Sequence, residues 1–206
     1  MTTADPGDAP GLGALPQHAE ARKAPPDPEG WWAEVNSLDL AVYAAIAATP
    51  TPTLDGVFRR LARAADNSKL WIASAAALAT IGGPGGRRAA VNGLASVAVT
   101  SAVVNLVLKP LGGRHRPDRA THQVPITRQV TMPRTTSFPS GHAASASAFA
   151  TGVASAAPEA GIPVSTAATL VAYSRVHTGV HYPIDVIAGS LTGEALALLT
   201  VAALAR

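Results

Sequence analysis

The chain has 206 residues, a formal net charge of +3, no cysteine, 4% aromatic and only 14% charged residues; that is one domain's worth of sequence, with far fewer charges than the roughly 25% usual for a soluble domain. The missing cysteine excludes a disulfide scaffold, a thiolate zinc site, an iron-sulfur cluster and a cysteine nucleophile. Of the 48% that is hydrophobic, 44 residues are alanine, so the mean hydropathy of +0.21 understates how apolar the uncharged stretches are.

Residues 1–36 carry six prolines and four glycines with almost no apolar periodicity, which predicts a disordered tail ahead of one membrane-embedded domain at 37–206. No basic segment followed by an apolar one is present, so the tail is not expected to be a signal peptide. Trp31 and Trp32 suit a membrane-water boundary, where one part of the side chain is apolar and another can hydrogen-bond.

From there the charges divide the sequence into uncharged runs: Leu40 to Leu54, Leu70 to Gly86, Ala89 to Leu108, Thr135 to Pro158, Ala160 to Ser174, and Val186 to Ala205 broken only by Glu194. At 1.5 Å per residue the twenty residues of Ala89 to Leu108 cross the roughly 30 Å hydrocarbon core, and the shorter runs need flanking residues to do so. A soluble alanine-rich bundle is the competing reading, but six such runs leave too little polar face to solvate one. Between the first two runs, Leu54, Val57, Phe58, Leu61 and Ala65 fall at helical spacing opposite Arg59, Arg60 and Arg63. That pattern suits a helix lying at the interface or the amphipathic end of the first span. With no repeat and no strand-period segment, the expected fold class is all-α, a polytopic helical bundle of about five to six spans.

Basic residues concentrate between Lys109 and Arg134, where Lys109, Arg114, Arg116, Arg119, Arg128 and Arg134 face the single acid Asp118, a local +5. One positive loop between spans, with no aromatic interleaving and no recognition helix, is a poor nucleic-acid surface. An anion bound at the membrane face fits better.

Nearly every group able to do chemistry lies in KPLGGRHRP at 109–117, SFPSGHA at 137–143 and SRVHTGVHYPID at 174–185. Counting spans puts all three on one side of the membrane. Lys109, Arg116 and Arg175 would bring three fixed charges into one pocket, and arginine forks match phosphate oxygens in pairs. Ser140 and Gly141 precede an apolar run, where a helix would begin and free N–H groups would point at an anion. His181 has Asp185 four residues on, with Pro183 between them opening a helix. A carboxylate that fixes one ring nitrogen leaves the other free as a nucleophile. His142 has no acid near it in sequence and is the better candidate for donating a proton to a leaving oxygen. His177 is read as a pocket-wall residue, and His115, Arg114 and Arg119 as extra charge near the mouth or as solvated loop.

The pattern Lys109, Arg116-Pro117, Pro139-Ser140-Gly141-His142, Ser174-Arg175, His181 and Asp185, eleven residues spread over 77, resembles the type 2 phosphatidic acid phosphatase family, whose active site is related to that of vanadium-dependent haloperoxidases. The resemblance implies that His181 attacks phosphorus to form a phosphohistidine, oriented by Asp185, while His142 protonates the leaving group. It further implies that Lys109, Arg116, Ser140, Gly141 and Arg175 hold the phosphoryl oxygens. No metal and no cofactor are expected, since the cations occupy magnesium's place. The expected partner is a lipid phosphate or diphosphate in a bacterial cell membrane: phosphatidic acid, a polyprenyl diphosphate or a phosphorylated polyprenyl sugar. A vanadate-using haloperoxidase and a membrane protein that binds or flips lipid phosphates without hydrolysis are the alternatives, and the oligomeric state is left open. Eleven Lys and Arg fall on the site face against five on the other; the positive-inside rule reads this as a cytoplasmic site, whereas many members of the resembled family act on the outer face.

Overall fold

The computed structural model describes residues 28–206, and every regular element among them is helical. In chain order these are α1 (Pro28–Ala48), α2 (Pro52–Ala64), a single 3-10 turn at Asp66–Ser68, α3 (Lys69–Ile81), α4 (Gly83–Val103), a π turn at Val104–Leu108, the short α5 (Lys109–Gly112), α6 (Gly141–Ala154), α7 (Pro158–His177) and α8 (Pro183–Leu204). The tail expected over 1–36 is shorter at its far end, because α1 opens at Pro28 and includes Trp31 and Trp32. Proline supplies a helical φ and lacks only an N–H that the first turn cannot use, so it starts the helix twelve residues before the apolar run at Leu40 does. The rest of that expectation lies outside the described residues.

Among the described residues, two helices are long and apolar enough to cross a membrane, Gly83–Gly112 and Pro183–Leu204. α8 turns its small residues Gly189, Gly193 and Ala197 inward and leaves Ile187, Leu191, Leu198 and Leu199 exposed. A water-soluble helix does the reverse, whereas helices in lipid associate through small residues that let backbones approach. Here the approach is close: a Cβ on Gly193 would stand 2.0 Å from the carbonyl oxygen of Ala144, and one on Gly189 2.4 Å from that of Ser140. These contacts seat α6 against α8, and α6 also packs on α4 and α7. Its side chains Phe149 and Val153 join Trp71 of α3, Val97 of α4 and Val171 of α7 in one core, with the Trp71 and Phe149 rings 5.3 Å apart.

The amphipathic stretch at 52–64 is a separate helix, α2, packed on α7 with Phe58 against Tyr173 and His177. The uncharged run from Thr135 to Pro158 is one helix only from Gly141 to Ala154, and Pro158 already opens α7; its first six residues belong to the irregular segment 113–140 that folds over the helix ends. Arg128 fixes that segment from within: it is 1% exposed, donates to Asp55 Oδ1 at 2.8 Å, and caps the carbonyls of Ile46, Ala47 and Thr49 where α1 ends. Glu194 is exposed on α8 beside a cavity of about 580 Å³ that Thr151, Ser165, Thr169 and Ser190 also line.

Candidate active site

The end of the Gly83–Gly112 helix, the start of α6, the end of α7 and the start of α8 meet under segment 113–140, so the three polar segments converge as span counting predicts. Within the first helix the π turn adds a residue just before Lys109, which rotates the downstream register by about 100°. Lys109 Nζ then lies 3.4 Å from where a Cβ on Gly141 would be, and donates to Thr135 Oγ1 at 3.3 Å. Any side chain at Gly141 would fill that gap. Thr135 Oγ1 also accepts from Arg116 Nη2 at 3.2 Å, so one hydroxyl spaces the two cations.

Arg116 is held by carbonyls: its Nε donates to Thr135 O at 2.8 Å, and its two Nη atoms to Val180 O at 2.8 Å and Thr136 O at 3.1 Å. Its Nη1 also lies 3.1 Å from His181 Nε2. A guanidinium can only donate, so Nε2 is the ring nitrogen with the lone pair and Nδ1 carries the proton. Nδ1 stands 3.6 Å from Asp185 Oδ2 and 3.4 Å from Ser137 Oγ, and Ser137 donates to Asp185 Oδ2 at 2.5 Å. The sequence reading expects a direct pair of His181 with Asp185; the serine hydroxyl instead spans part of the gap. Burial, opposed by Asp185 and aided by the charges of Arg116 and Arg175, pushes the His181 imidazole down to about 4. It is therefore neutral at pH 7.

Asp185 is fully buried and receives Arg114 Nη1 at 2.8 Å and the Tyr182 N–H at 3.0 Å besides Ser137. Arg114 reaches on to Asp39 Oδ2 at 2.6 Å and covers the Tyr182 ring at 4.2 Å. It is thus neither solvated loop nor headgroup contact, because two buried carboxylates claim it. Arg119 likewise turns inward, donating to Gly179 O at 3.2 Å and Val130 O at 2.8 Å. His115 is exposed.

Ser140 caps α6, accepting from Ala143 N at 3.5 Å, and is fully buried. Its own N–H donates to Asp185 O at 2.9 Å, which ties the two helix starts together and corrects the expectation of a free amide there. The first-turn N–H groups of Gly141 and His142 are the ones without an intrahelical acceptor. Arg175 is 1% exposed; Nη1 reaches Ala62 O at 3.5 Å, while its Nε is buried with no partner among the described residues. A buried unpaired donor on a guanidinium is costly unless an anion completes it.

His142 does have an acid, seventy-six positions away: Asp66 Oδ1 lies 2.9 Å from its Nε2. The hydrogen bond from His142, against a smaller effect of burial, holds the Asp66 carboxyl below its ordinary range. His177 is no pocket wall; it is 2% exposed and sets Nε2 3.2 Å from Asp55 Oδ1, in the buried cluster with Arg128. Among the described residues no group of three His, Asp or Glu is placed to hold a metal.

The model of the PAP2 superfamily matches residues 90–206, more than half of the chain. The chain belongs to the PAP2 superfamily. The decaprenylphosphoryl-5-phosphoribose phosphatase of Mycolicibacterium smegmatis is similar to this PAP2 chain, 39% identical over 155 residues that make up 73% of this chain and 78% of that one. The crystal structure of a transmembrane PAP2-type phosphatidylglycerolphosphate phosphatase from Bacillus subtilis superposes with a TM-score of 0.62 at 26% identity, covering 82% of this chain and 85% of that one. That of Aquifex aeolicus LpxE superposes at 0.65, covering 80% and 94%; at 23% identity it shows the shared fold alone. Asp66, Ser137, Thr135 and Arg114 are the site neighbours that the PAP2 motifs do not reveal. Ser137 lies inside SFPSGHA and Arg114 inside KPLGGRHRP, but only the folded chain shows what each touches.

Proposed function

We propose that this PAP2 protein releases phosphate from a membrane lipid phosphate without a metal, through a phosphohistidine on His181. The family and the activities named for its relatives make it a lipid phosphatase. The observation that carries the mechanism is the state of His181: a buried neutral imidazole whose Nε2 lone pair is marked by Arg116 at 3.1 Å and whose Nδ1 side faces Ser137 and Asp185. In the first step Nε2 bonds to phosphorus while the bond to the leaving oxygen breaks, and His142 gives that oxygen its proton. In the second, His142, now neutral, takes a proton from water as the water oxygen attacks phosphorus, which frees phosphate and restores His181. Lys109, Arg116, Arg175 and the amides of Gly141 and His142 stabilise charge on the equatorial oxygens, the main demand of phosphoryl transfer. Ser140 contributes by capping α6 and fixing its start to Asp185.

The same reading places the protein in a bacterial cell membrane with α1, α3, α6 and α7 embedded beside the two longer spans. At 1.5 Å per residue α3 and α6 are about 20 Å long and short of the hydrocarbon core, and non-helical segments buried within protein complete the depth. Among candidate substrates, the name of the mycobacterial relative favours a phosphorylated polyprenyl sugar over phosphatidic acid. Phosphate release from lipid phosphates in detergent with EDTA present tests the reading. It should persist in EDTA and vanish in His181→Ala; undiminished release by that variant removes His181 as nucleophile.

A further inference from the structure

We propose that the turn Asp66–Ser68 and the polar wall facing it form a leaving-group subsite for a hydroxylated leaving group, a sugar or polyol bearing a phosphomonoester. This rests on the phosphatase reading above. In-line transfer puts the leaving oxygen on the side of phosphorus opposite the attacking nitrogen. If His181 attacks, the leaving oxygen lies on the His142 side, and whatever that oxygen belongs to must occupy the space beside His142.

That space is a cavity of about 250 Å³ which includes Lys109, Gly141 and His142 of the site. Its remaining walls are Asn67 and Ser68 from the turn, Ser101 and Asn105 from the long helix, Ser145 one turn into α6, and the apolar Ala65 and Val104. Ser101 Oγ and Ser145 Oγ are 3.3 Å apart, and Asn105 Nδ2 donates to Ser101 O at 2.9 Å. The Asn105 side-chain oxygen and the side chains of Asn67 and Ser68 make no side-chain hydrogen bond among the described residues. A bare prenyl or acyl alcohol would set hydrocarbon against these amides and hydroxyls; ring or chain hydroxyls would pair with them. A second phosphate fits no better. Lys109, already in the phosphoryl cradle, is the only lysine or arginine in the lining, and the Asp66 carboxylate, paired with His142, adjoins the lining residue Asn67.

The turn itself carries an independent mark. Asn67 and Ser68 adopt φ of 54° and 58°, two successive non-glycine residues in the left-handed region. Glycine would hold that backbone without strain. Such conformations persist where surrounding contacts over-determine them and cluster at ligand clamps. Asp66 supplies the contact, anchoring the turn to His142, and the side chains that make the turn strained are the ones that line the cavity.

The test uses the full chain in detergent and three probes: octyl ribofuranoside 5-phosphate, dodecyl phosphate and farnesyl diphosphate. The riboside phosphate should exceed each of the others in kcat/KM by about ten-fold, the discrimination expected from one or two hydrogen bonds made only to hydroxyls. The ratio of riboside to dodecyl phosphate should fall by a similar factor when Asn67→Gly and Ser68→Gly are combined, while the melting temperature rises because strain is relieved. Asn105→Ala should lower the same ratio without touching the turn. A ratio at or below one, a preference for the diphosphate, or a ratio that none of these substitutions moves overturns the subsite and leaves the phosphatase intact. Phosphate release from none of the three probes overturns the phosphatase reading and the subsite with it.

Discussion

At the scale of single residues the two histidines differ in what surrounds them, and each difference has a kinetic signature. An imidazole pushed down to about 4 stays neutral as pH falls from 7 to 5, so His181 keeps its lone pair through that range. After correction for the substrate phosphate's own ionisation near pH ~6, kcat/KM should show its acid limb near pH 4, and a limb near pH ~6.5, the ordinary histidine value, would contradict the buried geometry. Asp185 reaches His181, the proposed nucleophile, partly through Ser137, so Ser137→Ala should lower kcat about ten- to a hundred-fold, as loss of an orienting hydrogen bond does. The duty proposed for His142 is different, and leaving-group chemistry isolates it. His142→Ala should cost about 10²–10⁴ in kcat on an alkyl phosphate, and far less on 4-nitrophenyl phosphate, whose phenolate departs without a proton. Asp66→Asn should follow the same divergence on a smaller scale, since Asp66 meets the leaving oxygen's proton donor through its contact with His142.

At the scale of elements, small residues decide where the site's parts sit. The glycine spacing on α8 brings the backbone of α6 so near that an added methyl meets carbonyl oxygens, and this joins Ser140 to Asp185 across the two helix starts. Gly193→Ala should destabilise the protein by at least the about 1–3 kcal/mol typical of overpacking, read as a lower midpoint of thermal unfolding in detergent. Gly85→Ala, whose added Cβ meets nothing nearer than 4.0 Å, is the matched control and should not lower the midpoint, since alanine is the better helix former by about 1 kcal/mol. The helices themselves were legible as uncharged runs because charge is what a buried or lipid-facing helix cannot carry. Their ends were not. The run at 135–158 opens with six irregular residues, since a loop folded into a protein interior avoids charge as a helix does, and α1 begins among prolines because only its first turn tolerates them.

For the whole molecule, net charge was a partial guide. The local +5 between Lys109 and Arg134 looks aimed at phosphate as a block, yet Arg128 is spent on Asp55 and Arg114 on Asp39 and Asp185, while Arg134 is exposed. The cradle proposed above instead draws Lys109 and Arg116 from that stretch and Arg175 from α7. Spacing along the chain showed the eleven motif residues; it could not show Asp66 beside His142 or Asp55 beside His177, because those pairs are made by tertiary packing across seventy-six and 122 positions. Since the chain has no cysteine of its own, single cysteines introduced at Thr121 and at Arg206 can be labelled in intact cells with a membrane-impermeant reagent. A spanning α8 would put them on opposite faces, so one should label and the other should not; equal labelling of both would contradict a last span at α8. The most direct test of the chemistry is stereochemical. A lipid phosphorothioate made chiral with oxygen isotopes, hydrolysed in isotopically labelled water, should give product with overall retention at phosphorus, because attack by His181 and then by water inverts it twice. Overall inversion would mean that water attacks the substrate directly and that His181 forms no covalent bond.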